Sequence, residues 1–349
     1  MWLGQEVQAV SREVGVRLRG QGSGVRGQKE TSLTDSGILT VVAGVLRDGS
    51  GRVLLTERLP GKHLAGTWEF PGGKCEAAES PHLALARELH EELGLTIEDS
   101  EPLLSLTHAY PEKTVRLLIR EVDDWQGKIY GREGQGVRWA SLAEMQSLPM
   151  PDADRPMIKV LGLDPRYAIT PDPSELGGEK AFVDYWKGLL RSGFRLLQLR
   201  AHSLDEQALS RVARQCAALA REHEAVWLLN GPAELVQAVG ADGVHLTSAA
   251  LGSTDKRPLP DDLLVAASCH NRDELIRAGA VNADFVCLSP VLPTASHPDA
   301  RTLGWEGFKA LCGHSPLPVM ALGGVAPREL KTARRHGAFG VAGISGFGP

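Results

Sequence analysis

GKCEAAESPHLALARELHEELGL, residues 73–95, is the stretch from which the first half of this chain can be read. Ser80-Pro81 can open a helix, because serine caps free backbone amides and proline already has the shape of a first turn. Gly94 can close it. Between these ends Leu85, Leu89 and Leu93 recur every fourth residue and form one stripe for burial, while Glu88, Glu91 and Glu92 share another face. Like charges at helical spacing repel by roughly 0.2–0.5 kcal/mol per pair. A dense acidic face of this kind suits a hard divalent cation such as Mg2+, which takes oxygen ligands and leaves positions open for water and phosphates. Arg87 beside the acids can hold one carboxylate through two nitrogens and orient the others.

Outward from this helix, composition bounds the rest. A chain of 349 residues has length for two domains and two cores. Its hydrophobic fraction of 42% is that of a soluble globular protein, and its formal charge of −5 argues against general nucleic-acid binding. The five cysteines, Cys75, Cys216, Cys269, Cys287 and Cys312, form no CxxC pair, which predicts a reducing cytoplasm and no structural zinc. No apolar run is long enough to span a membrane. Residues 1–36 hold no sustained apolar period and include the linker-like run GQGSG, so they predict a mobile extension. Arg12, Arg17, Arg19 and Arg26 would suit a targeting peptide, but Glu6, Glu13 and Glu30 and the lack of an apolar core argue against one.

The first domain is expected over residues 37–163. ILTVVAGVL from Ile38 has the β-branched content of a strand, Asp48-Gly49-Ser50-Gly51 makes a turn, and the strand that begins at Val53 is expected to pair with the first.

Gly73, Glu79, Arg87, Glu88, Leu89, Glu91, Glu92, Gly94 and Leu95 each hold their place in the signature of the Nudix hydrolases. From about residue 38 to 163 the chain resembles the MutT branch, the oxidised-nucleotide sanitisers. The resemblance implies an α/β/α sandwich in which Gly73 (through its carbonyl), Glu88, Glu91, Glu92 and Glu133 hold Mg2+, with Mn2+ able to substitute. It implies water attack on a phosphorus of 8-oxo-dGTP, giving 8-oxo-dGMP and pyrophosphate, with Glu91 or Glu133 as base and Arg87 supporting the acids. It also implies that Arg58, His63, Glu69 and Phe70 contact the nucleotide. One position departs from the branch. Where an asparagine reads the base in an A-N-x-P loop, this chain has Ala153-Asp154-Arg155-Pro156. Asparagine both donates and accepts, whereas an ionised aspartate only accepts. Asp154 is therefore either protonated, or it has moved the specificity, or it serves as a helix N-cap.

Beyond residue 165 the pattern changes to short apolar runs alternating with helical stretches, with strands expected at Tyr167, Leu196, Val226, Gly243, Leu263, Phe285, Val319 and Phe339. Eight buried strands with helices between them predict a (β/α)8 barrel over residues 166–349 with a truncated last helix. Ala168-Ile169-Thr170, Gln198-Leu199-Arg200, Asn230, the run ADGVHL from Ala241, Ser268-Cys269-His270, Pro293-Thr294, Gly323-Gly324 and Gly343-Ile344-Ser345 resemble the thiamine-phosphate synthase/TenI family. Gly323, Gly324, Gly343, Ile344 and Ser345 stand where barrels commonly cradle a phosphate. Arg200, Asn230, His270 and Thr294 are candidate ligand contacts, and His202, His245 and His297 further acid–base candidates.

Synthase machinery is missing. Ala201-His202 replaces the Glu-Lys expected after Arg200, Gly231-Pro232 the aspartate after Asn230, and Thr247-Ser248-Ala249-Ala250 an acidic metal ligand. His297 replaces a basic residue, and Pro290 stands where the tautomerase would have histidine. The leading expectation is thus a nucleotide sanitiser whose barrel binds a phosphorylated ligand such as thiazole phosphate. A second is a bifunctional enzyme that hydrolyses a thiamine-type diphosphate and isomerises or binds thiazole phosphate. A third makes the barrel a structural or partner-binding module.

Overall fold

A computed structural model describes residues 37–294 and 301–349. The expected mobile extension at 1–36 and the acid–base candidate His297 lie outside the described residues.

Among the described residues, seven strands and three helices precede the barrel. The strands are β1 (Ile38–Leu46), β2 (Val53–Glu57), β3 (Trp68–Glu69), β4 (Gly72–Lys74), β5 (Glu101–Ala109), β6 (Thr114–Val122) and β7 (Val137–Ala140). The helices are α1 (Pro81–Leu93), α2 (Leu142–Ser147) and α3 (Arg155–Val160). A mixed sheet runs in the order β4-β1-β6-β5, with β1 and β6 parallel from Ile38↔Thr114 to Leu46↔Val122. The strand that begins at Val53 does not pair with β1 as expected. Both edges of β1 are already taken, by β4 and β6, so the turn after Asp48 carries the chain out of that sheet. Only the bridge Arg47↔Val53 links the two, and β2 instead joins β3 and β7 in a second sheet.

Alternation along β1 builds the three layers. Val42 and Leu46 pack with Leu85, Leu89 and Leu93 of α1, while Ala43 and Val45 turn to the opposite cluster with Met145 of α2 and Met157 of α3. The stripe read from sequence is the buried face of α1. Ser80 caps this helix through its side chain, and Gly94 ends it in the left-handed conformation at φ 70°.

Eight parallel strands then close into a barrel: β8 (Arg166–Ile169), β9 (Leu196–Arg200), β10 (Val226–Asn230), β11 (Gly243–Leu246), β12 (Leu264–Cys269), β13 (Phe285–Leu288), β14 (Val319–Leu322) and β15 (Gly340–Gly343). Pairing of β15 with β8 through Gly343↔Ala168 completes the ring. Strands buried on both faces read as continuous apolar runs, which is why each was visible in the sequence. After β15 comes a single 3-10 turn, Ser345–Phe347, whose Phe347 is buried 5.7 Å from Phe194.

The first part closes the N-terminal end of the barrel. Ser105 and Thr107 on edge strand β5 donate backbone hydrogen bonds to the carbonyls of Gly337 and Ser315, at 3.0 and 2.8 Å. Lys159 of α3 reaches the buried Asp284 at 2.7 Å. Met157, Ile158 and Leu161 share one apolar cluster with Tyr167, Phe285, Met320 and Phe339 inside the barrel. The strands' C-terminal ends, where barrel sites form, face the other way.

Candidate functional site

Gly73 in the centre of β4 and Glu88 at the middle of α1 meet where the sheet edge crosses the helix. A Cβ built on Gly73 would stand 2.3 Å from the Glu88 carboxyl, so a side chain there would displace the acid. Arg87 locks the same corner. It donates to Glu79 through Nε at 3.1 Å and Nη2 at 3.0 Å, to Glu88 through Nη1 at 2.8 Å, and to the Lys74 carbonyl at 3.0 Å. Glu91 lies 3.6 Å from the same guanidinium and is the most solvent-open acid of the helix. The two-nitrogen grip pulls the Glu79 carboxyl below the usual range.

Glu92 sits where the acids crowd most closely. Burial, then the negative charges of Glu88, Glu69 and Glu133, push its carboxyl up to about 8, with Lys62 alone opposing them. Four acids converge on one partly buried place, and the donor set is entirely hard oxygen, which fits Mg2+ or Mn2+ rather than a softer metal. Among the described residues no three such side chains stand at ligand distance from one point. Glu88 turns instead to Arg87, and Glu133 to Lys62 at 3.2 Å.

The neighbouring pocket is built by Arg58, Glu69 and Asp154. Arg58 pairs with Glu69 and donates through Nε to the His63 carbonyl at 2.7 Å. Burial raises the Glu69 carboxyl and Arg58 opposes the rise. Phe70 is buried against the sheet core. Asp154 stands at the N-cap position of α3 but makes no side-chain cap bond, and it is 6% exposed. Burial first, and Glu69 second, push its carboxyl up to about 8, with Arg58 opposing. At neutral pH it is mostly protonated and so offers both a donor and an acceptor, as asparagine does.

Three contributors were not read from the sequence. Lys62 reaches Glu133 across 71 positions. Gln135 accepts from the Glu133 amide at 2.9 Å and donates to the Glu92 carbonyl at 3.0 Å, tying that loop to the end of α1. Tyr110 lies edge-on to His63 at 6.1 Å and to His108 at 4.4 Å. Long-range contacts of this kind leave no local periodicity. The REGQ run, which contains Glu133 and Gln135, was the one available signal.

In the barrel the candidates separate. His245 is buried, and burial lowers it to about 3, so it is a neutral core histidine between Tyr167 Oη at 3.2 Å and Ser268 Oγ at 2.9 Å. Asn230 donates to the His245 carbonyl at 2.8 Å and belongs to the same interior. His202 and His270 are exposed, and His270 Nδ1 lies 3.0 Å from the Ser289 carbonyl. Arg200 pairs with Glu175 at 3.3 Å, and Thr294 is half-buried. Gly323 and Gly324 sit at φ 94° and 67° against Pro290 and the Leu292–Pro293 backbone, where a Cβ would come within 2.9 and 2.4 Å. Gly343 packs on Phe347, with Ile344 half-buried and Ser345 exposed beyond it. Thr247, at a place where an acidic ligand was expected, caps a helix by accepting from Ala250 at 3.1 Å.

The comparisons with known proteins divide the chain at the same place. Residues 42–160 match the family described as NUDIX domain, and residues 166–347 the family described as thiamine monophosphate synthase. An 8-oxo-dGTP diphosphatase of Haemophilus influenzae is 37% identical over 124 residues, 36% of this chain and 91% of that protein. The Escherichia coli 8-oxo-dGTP diphosphatase is 34% identical over 123 residues, 35% of this chain and 95% of its own length. A thiamine-phosphate synthase of Methanococcus vannielii is 31% identical over 156 residues, 45% of this chain and 76% of that protein.

Proposed function

For a chain that belongs to the Nudix hydrolases through its first part and to the thiamine monophosphate synthase family through its second, we propose that the first part cleaves oxidised nucleoside triphosphates such as 8-oxo-dGTP to the monophosphate and pyrophosphate. The observation that carries this reading is the pairing of two sites on adjacent elements. One is an all-carboxylate cluster held at Gly73 and α1, and the other is a pocket whose buried Asp154 can both donate and accept.

Glu88, Glu91, Glu92, Glu133 and the Gly73 carbonyl are the residues that would hold Mg2+. When bound, the ion offsets phosphate charge and makes water more acidic. Arg87 fixes Glu88 against Gly73, so the acid is oriented before substrate arrives. Glu91, open to solvent, takes the proton of the attacking water as the water oxygen bonds to phosphorus and the bridging P–O bond breaks. Arg58 and His63 flank the nucleotide. The protonated Asp154 accepts from N7–H of the oxidised base and donates to O6, a pair that unmodified guanine, which has a lone pair at N7, cannot match. The barrel binds a phosphorylated ligand at the loops after β14 and β15 and carries no synthase activity, since Thr247 caps a helix where a metal-binding acid was expected.

Glu91→Gln tests the assignment. Turnover falls by on the order of 10³, about 4 kcal/mol, with the fold intact. Near-normal turnover would remove α1 from the chemistry.

A further inference from the structure

Lys62 is the feature of this site that the reading above does not use. It lies at the tip of a loop, residues 58–67, whose ends are pinned together. The Arg58 amide donates to the Thr67 carbonyl and the Gly66 amide to the Arg58 carbonyl, both at 2.9 Å. The Thr67 hydroxyl donates to the Leu64 carbonyl at 2.8 Å. Between these anchors the tip is open: Gly61 at φ 86° has nothing within 4 Å of a built Cβ, and residues 60–66 are exposed. From this tip the ammonium reaches over the carboxylate cluster, 3.2 Å from Glu133, and its charge is felt by both Glu69 and Glu92.

The neighbouring arginines are committed. Arg58 is held by Glu69 and the His63 carbonyl, and Arg87 by Glu79, Glu88 and the Lys74 carbonyl. Arg132 donates to the His90 carbonyl at 2.8 Å. Among the described residues Lys62 has one side-chain partner, and the pair is about half exposed on both sides, at 51% and 45%. An exposed pair of this kind is weak and easily exchanged. Lysine suits exchange, being a compact point charge on a flexible stem, whereas arginine would be fixed by its planar fork. A divalent cation among the same acids competes directly with it. A triphosphate drawn to that cation brings new negative charge to where the displaced ammonium is tethered.

We infer that Lys62 is the resident counter-ion of the metal-free carboxylate cluster, is displaced from Glu133 when the divalent cation binds, and then contacts the phosphates of the substrate. This rests on reading that cluster as the metal site. It makes residues 58–67 a charge-exchanging loop that engages the triphosphate only after metal has entered, and so orders the two binding events.

The test is calorimetry on the full chain, with MnCl2 as the probe and no nucleotide present, comparing the parent protein with Lys62→Met. Loss of the competing ammonium tightens Mn2+ binding by about fivefold, the size expected of one exposed ion pair. Lys256→Met, which removes an exposed charge from the barrel, leaves Mn2+ affinity unchanged. With Mg2+ present, a non-hydrolysable deoxyguanosine triphosphate analogue binds Lys62→Met more weakly than it binds the parent. Equal Mn2+ affinity in Lys62→Met and parent overturns the counter-ion role, and equal nucleotide affinity overturns the phosphate contact. A parent chain that takes up no Mn2+ would overturn the metal reading itself, and this inference with it.

Discussion

The Glu88 carboxyl occupies the space that a side chain on Gly73 would fill, with a built Cβ 2.3 Å from the acid's carboxyl carbon. The glycine therefore leaves the room in which the Glu88 carboxyl sits. Gly73→Ala pushes Glu88 away and breaks its register with Arg87, so kcat falls by about a hundredfold, roughly 2.7 kcal/mol. Stability changes by less than about 1 kcal/mol, because the displaced group is the far end of a flexible side chain. Paired rate and urea-unfolding measurements check both. Full activity in Gly73→Ala would mean that the contact has no part in the chemistry.

Asp154 gives the pocket a pH dependence with a definite sign. Burial, and then the charge of Glu69, push its carboxyl up to about 8, so the protonated form that both donates and accepts is favoured at neutral pH and is lost as pH rises. Discrimination between 8-oxo-dGTP and dGTP is therefore greatest at neutral pH and declines as pH rises through about 8. Asp154→Asn keeps or improves the discrimination and removes its dependence on pH. Profiles of kcat/KM for both nucleotides from pH 6 to 9 show this directly; parallel profiles in parent and variant would place residue 154 outside base reading.

The same logic applies to stability in the absence of metal. Glu92 and Asp154 both have folded values near 8, raised above those of the unfolded chain. Groups shifted upward favour the fold while protonated, so their contribution is complete below the ordinary carboxylate range and is lost as pH rises toward 8. The urea midpoint of the chelator-treated protein falls between pH 6 and 9. Glu92→Gln flattens part of that fall, and Mg2+ raises the midpoint most at the alkaline end. A midpoint independent of pH would show that the acids do not crowd one another as described.

Legibility in the sequence followed the range of each interaction. The stripe Leu85, Leu89, Leu93 and the caps Ser80 and Gly94 act within a few residues, so α1 could be read with its acidic face. Barrel strands announced themselves because both faces are buried. The turn after Asp48 does not lead to pairing at Val53, because the edges of β1 are filled by β4 and by β6, which lies far along the chain. Lys62, Gln135 and Tyr110 share that limit, as the contacts that tie them to the site, with Glu133, the Glu92 carbonyl and His63, span 40 or more positions. His245 shows the opposite limit. A histidine at a strand end suggests chemistry, but its neighbours Tyr167 and Ser268, invisible in the local run, make it part of the core.

The most direct test of the central claim is kcat/KM of the full chain with Mg2+ on 8-oxo-dGTP and on dGTP, with thiamine diphosphate as a third substrate. The expected result is a preference for the oxidised nucleotide of about a hundredfold or more, equivalent to roughly 2.7 kcal/mol of transition-state discrimination. Comparable rates on the two purines, or faster cleavage of thiamine diphosphate, would contradict it.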